Sequence, residues 1–122
     1  MSHPTEALDE IVHQRTRLGI LAVLAEAGRI QFGFLRDALN LTDGNLSRHL
    51  TILEDAGFVE IEKGYEGKRP RTWLRITKPG RRALGAELAA LKTLVGRLER
   101  PVAPEVSSDE RSDRDGAPEI AQ

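Results

Sequence analysis

Leu41-Thr42-Asp43-Gly44-Asn45-Leu46-Ser47-Arg48-His49-Leu50-Thr51-Ile52-Leu53-Glu54-Asp55-Ala56-Gly57-Phe58-Val59 is the stretch on which the fold of this chain turns. Leu46, Leu50 and Leu53 recur at i, i+4 and i+7, which sets three leucines on one face of a helix. Thr42 carries the hydroxyl that caps a helix start, Asp43 complements the positive end of the helix dipole, and Gly57 supplies the stop. With the leucines inward, Thr42, Asp43, Gly44, Asn45, Ser47, Arg48, His49, Thr51 and Ile52 are expected to face outward.

Outward from that helix, both flanks are patterned. Upstream, Leu8, Ile11 and Val12 form one apolar stripe and Leu18, Leu21, Ala22, Leu24 and Ala25 a second, predicting a helical region over residues 5–27 that ends at Gly28. The polar run His13-Gln14-Arg15-Thr16-Arg17 between the stripes predicts a kink with Thr16 as the restarting cap. Residues 29–32 read as a short extended piece, and Gly33 opens a helix over 34–39 with Asn40 at its C-cap.

Downstream, Phe58-Val59-Glu60-Ile61-Glu62-Lys63 alternates as a half-buried strand does. Gly64–Pro70 reads as a flexible basic loop and Arg71–Ile76 as the returning strand, with Thr72, Leu74 and Ile76 inward. In that pairing Glu60 and Glu62 lie near Arg71, Trp73 and Arg75 on the outer face. Thr77 then caps a helix with Pro79 in its first turn, running to about residue 100. Two short helices joined by a tight turn and followed at once by a hairpin make a winged helix-turn-helix: mainly helical, with a small antiparallel hairpin and a long C-terminal helix.

Composition sets the limits of function. The chain has 122 residues, 39% hydrophobic and 30% charged, which is one globular domain's worth. Absence of cysteine removes disulfides, thiolate metal sites and a cysteine nucleophile, and fits a cytoplasmic location. No signal sequence or membrane-length apolar run is seen, and no paired acid–base cluster, so an enzyme is not expected. His3, His13 and His49 are scattered, so neither a metal nor a cofactor is expected.

The net charge of −1 hides a segregation. Residues 101–122 carry a net −4 with three prolines and are expected to be a disordered acidic tail on a domain spanning residues 1–100. Residues 61–82 carry a net +6, a local field that a polyanion would feel. Asn45 has the geometry to pair with adenine and Arg48 with guanine; Gly44 leaves room for close approach, and Ser47, His49 and Thr51 suit phosphates or base edges. Lys68, Arg69 and Arg71, with Thr72, place cations at the hairpin tip where phosphates run beside a filled groove. The partner so implied is double-stranded DNA. The same features also allow a winged helix that docks on another protein without binding DNA.

Leu18–Leu21, Phe34-Leu35, Leu41–Leu50, Leu53–Val59, Gly67–Thr72 and Leu74–Gly80 together resemble a family of small bacterial winged-helix regulators related to the MarR and ArsR groups, over about residues 10–90. The resemblance implies dimeric, sequence-specific DNA binding through Thr42–Thr51 and Lys68–Thr72. Gly33 stands where a capping Ser or Thr is usual in that family and Arg15 where proline is common, while the cysteine ligands of its metal-sensing relatives are missing. For the dimer, Leu84, Leu88, Leu91, Val95 and Leu98 step by heptad spacing, and Leu8, Ile11 and Val12 of a partner chain are expected to help. A fold-back of that helix onto its own domain is the alternative. A twofold dimer favours a palindromic operator; operator sequence, repression or activation, and any small-molecule effector stay unassigned.

Overall fold

Gln14, not Thr16, starts the first long helix. Its side-chain oxygen accepts the Arg17 amide at 2.9 Å, and α1 runs Arg15–Ala27. The computed structural model describes residues 3–100. Upstream of α1, the expected helix is only a 3₁₀ turn, Pro4–Ala7, followed by a strap that folds back over the body. The reason is local: Asp9 Oδ1 accepts the amides of Ile11 and Val12 at 2.8 and 3.3 Å, a side-chain turn that competes with continuous helix.

Strand β1 is Arg29–Gln31, and α2, Phe32–Ala38, begins two residues earlier than the sequence suggests because Gln31 holds the N-cap position without a side-chain cap. Gly33 thus lies inside its first turn. Leu39 rather than Asn40 is the C-cap of α2; Asn40 follows it in the left-handed region at φ 55°, and the Leu41 amide returns to the Arg36 carbonyl at 2.9 Å. Thr42 then caps α3, Asp43–Asp55, accepting the Asn45 amide at 3.1 Å.

The hairpin is longer and tighter than its sequence implies. Strands β2, Val59–Glu66, and β3, Arg69–Ile76, pair from Val59↔Ile76 to Glu66↔Arg69, leaving only Gly67 and Lys68 as the turn. Gly67 has φ 65°, the left-handed geometry that a two-residue hairpin turn requires. The expected loop 64–70 is therefore mostly strand. The sheet order is β1-β3-β2, antiparallel, and β1 supports only Trp73–Arg75 of β3. On its outer face Arg75 pairs with Glu60, and Arg29 reaches Glu62 at 3.3 Å while stacking over Trp73 at 3.9 Å.

Helix α4, Lys78–Glu99, is capped by Thr77, whose hydroxyl oxygen accepts the Gly80 amide at 3.0 Å. Ile20, Leu21, Leu24, Leu35, Leu46, Leu50, Leu53, Val59, Leu74 and Ile76 form the core, with Thr72 half-buried at its rim. Two residues assigned to a dimer seam belong to this core instead. Val12 is fully buried and Leu84 is 8% exposed, so each packs within its own subunit. Among the described residues, no helix is long and apolar enough to cross a membrane. The segment 101–122, read as an acidic tail, lies outside the described residues.

Candidate nucleic-acid interface

Helix α3 is positioned from beneath by Leu46, Leu50 and Leu53, all at most 2% exposed. That anchoring leaves Thr42, Asp43, Gly44, Asn45, Ser47, Arg48 and Thr51 exposed, as the sequence predicts. Thr51 Oγ1 donates to the Ser47 carbonyl at 3.0 Å, so Thr51 is oriented along the helix. No heavy atom lies within 4 Å of a Cβ built on Gly44, which leaves its backbone open to approach.

His49 departs from expectation. It is 8% exposed, and its Nδ1 lies 3.2 Å from Nη1 of Arg17 on α1. Arginine stays protonated in proteins, so Arg17 is the donor and Nδ1 the unprotonated acceptor. Burial first, then the charges of Arg17 and Arg48, hold this imidazole below its ordinary pKa. His49 is an internal residue rather than a nucleic-acid contact. The signal was present: Leu46, His49, Leu50 and Leu53 make a full i, i+3, i+4, i+7 stripe.

Two other site residues are engaged internally. Asp43 accepts from Arg36 Nη1 at 2.8 Å, and Asp37 followed by Asp43 holds the Arg36 guanidinium above its ordinary pKa. This pair ties α2 to the start of α3. Arg71 Nε donates to Glu66 at 3.1 Å, across the base of the hairpin tip. By contrast, among the described residues Arg48, Lys68 and Arg69 form no ion pair.

Between α3 and the hairpin runs an open groove lined by Asp43, Ser47, Thr51, Lys63 and Thr72. Lys63 was not singled out in the sequence, although strand alternation sets it on the same face as Val59 and Ile61, toward α3. The side chains brought together on one helix and one ribbon are hydroxyls, an amide, the Asp43 carboxylate held by Arg36, and cations that form no ion pair among the described residues. No group of three or more metal-ligating side chains occurs among the described residues.

The dimer residues divide. Leu88 and Val95 are about half exposed, Leu98 is 75% exposed and Leu91 half-buried, together making an apolar strip on the outer side of α4. Leu8 and Ile11 are half-buried, Ile11 against the subunit's own core. The fold-back reading therefore holds for the first half of the last helix, which packs within the subunit, while the second half leaves its apolar strip exposed.

This geometry is that of a winged-helix transcriptional regulator. Residues 16–95 match the winged helix DNA-binding domain family, and the chain belongs to it. An uncharacterized protein of Methanocaldococcus jannaschii is 43% identical over 72 residues, 59% of this chain and 78% of that protein. The solved structure of a transcriptional regulator homologue from Pyrococcus horikoshii superposes with a TM-score of 0.73 at 32% identity, covering 79% of this chain and 96% of that one. A MarR-family transcriptional regulator from Silicibacter pomeroyi shares the fold, with a TM-score of 0.58 at 19% identity over 84% of this chain and 68% of that one. The winged-helix fold expected from the motifs is thus found.

Proposed function

We propose that this chain binds double-stranded DNA as a homodimer and regulates transcription, with α3 in the major groove and the β2–β3 wing on the backbone or in the minor groove. The observation that carries the reading is that Arg48 on the polar face of α3 and Lys68 and Arg69 at the hairpin tip form no ion pair among the described residues. Asn45 and Arg48 read base edges. Thr42, Ser47, Thr51 and Thr72 supply hydroxyls to phosphates or base edges, and Lys68, Arg69 and Lys63 release counterions from the backbone. Arg71, steadied by Glu66, shapes the wing base and adds charge there.

The homodimer is built on Leu88, Leu91, Val95 and Leu98, which a monomer leaves in water. Twofold symmetry sets the two α3 helices about one DNA turn apart, ~34 Å, and selects a palindromic site. The test is fluorescence anisotropy of the full-length protein on random duplex DNA between ~50 and ~200 mM salt. Micromolar binding that weakens steeply with salt is expected, and Lys68→Ala reduces the slope by about one. Binding that ignores salt, or none at low salt, overturns the reading.

A further inference from the structure

Glu87 on α4 is 1% exposed, yet it is a carboxylate. Its Oε1 accepts the Asp9 amide at 3.0 Å and its Oε2 lies 2.5 Å from His13 Nδ1. Both partners belong to the strap that precedes α1. The strap is gripped from its other side by Arg17, whose Nε donates to the Ile11 carbonyl at 2.6 Å and whose Nη2 reaches the Glu10 carbonyl at 3.4 Å. The same guanidinium donates through Nη1 to His49 of α3. One continuous polar path therefore runs from α4, through strap residues 9–13, through Arg17, to the inner face of α3.

A buried carboxylate is a poor device for stability alone, because an apolar residue of like volume often packs as well or better. What this carboxylate does is fix direction. Hydrogen bonds are angular where leucine contacts are not, and this path fixes the rotation of α3 about its own axis relative to α4. The strip formed by Leu88, Val95 and Leu98 lies farther along the same α4, so any partner gripping that strip acts on a helix bonded to the strap.

We propose that Glu87 and Arg17 are positioning residues for DNA recognition: through the strap they set the orientation of α3, and so couple the partner-binding helix to the base-reading face. The functional consequence rests on the DNA reading above, whereas the mechanical one does not. Hydrogen exchange of the full-length protein without DNA therefore tests the coupling by itself. Glu87→Gln preserves shape and an acceptor for Asp9 but loses the charge facing His13; Arg17→Met cuts the link to His49 while keeping the apolar stem. Each is expected to speed exchange in the first half of α3 by roughly tenfold, with strands β2 and β3 unchanged. The double variant is expected to exchange α3 no faster than the faster single variant, as for two cuts in one path. Unchanged α3 exchange in Glu87→Gln, multiplied effects in the double variant, or equal acceleration of β2 and β3 overturns the proposal. If wild-type protein fails to bind duplex DNA while the exchange pattern appears, the DNA reading falls and the coupling stands.

Discussion

Gly80 is the position where the smallest added group meets the hardest obstacle. A Cβ built there lies 2.1 Å from the Phe58 carbonyl oxygen, 2.9 Å from Ile76 Cγ1 and 3.0 Å from the Phe58 carbonyl carbon. The first obstacle is backbone, so no side-chain rotation relieves it. That carbonyl also accepts the Thr77 amide at 3.0 Å, and the Thr77 hydroxyl donates to the Gly57 carbonyl at 2.6 Å, so α4 cannot back away without loosening its own cap. Overpacking costs about 1–3 kcal/mol, and a weakened cap hydrogen bond adds about 1 kcal/mol. Against these stands the gain of about 1 kcal/mol that alanine brings over glycine in a helix. Gly80→Ala is therefore expected to destabilise the fold by about 1–3 kcal/mol. At roughly 4–8 °C per kcal/mol for a domain of this size, the melting temperature falls by about 4–24 °C. Gly85 on the same helix is the matched control: nothing lies within 4 Å of its built Cβ, so Gly85→Ala gains up to about 1 kcal/mol. Urea and thermal unfolding followed by circular dichroism measure both. If Gly80→Ala is as stable as Gly85→Ala, the close approach of α4 to Phe58 is wrong.

Arg48→Ala is expected to lose about 1–3 kcal/mol of discrimination at one base pair while keeping most random-duplex affinity; equal loss on every sequence in a binding-site selection removes it as a base reader. Val95→Asp puts a charge on the exposed strip of α4 and is expected to give monomers by sedimentation with the domain still folded; an unchanged mass places the dimer contact elsewhere. Because the fold lowers the His49 pKa, the unfolded chain binds a proton that the folded one resists as pH drops below about 6.5. The contribution is complete above that pH and is lost on acidification through the lower folded value. Urea midpoints between about pH 5 and 7.5 are thus expected to fall more for wild type than for His49→Gln, and parallel curves contradict it. Removing residues 101–122, which carry a net −4, is expected to tighten DNA binding at low salt if the segment competes for the wing; unchanged affinity refutes competition.

The leucine spacing of α3, its Thr42 cap, the Thr77 cap and the Glu60–Arg75 cross-strand pair were all legible in sequence, because each depends on residues a few positions apart or on simple alternation. The extra length of β2 and β3 was not. Gly64 and Pro70 both discourage strand, yet ladder pairing across the hairpin overrides local preference. The strap was hidden for a different reason. Asp9 and Glu87 are 78 positions apart, and nothing local marks Glu87 among the other charged residues of α4 as the one that turns inward. His49 was misplaced because a polar residue on the edge of an apolar stripe was counted with the solvent side, whereas Arg17 offered it a partner inside. Seam residues Val12 and Leu84 show the same limit: periodicity identifies an apolar face without saying whose surface covers it.

Beyond Trp73 the wing is a two-stranded ribbon, since β1 reaches no farther than the pair Gln31↔Trp73. Its outer flank along β3 is an open edge, the kind of rim onto which a stray chain can stack and seed aggregates. Pro70 sits on that edge without an amide hydrogen to offer, flanked by Arg69 and Arg71. Two such ribbons repel each other, so the projection stays solitary at high protein concentration while keeping its stiffness.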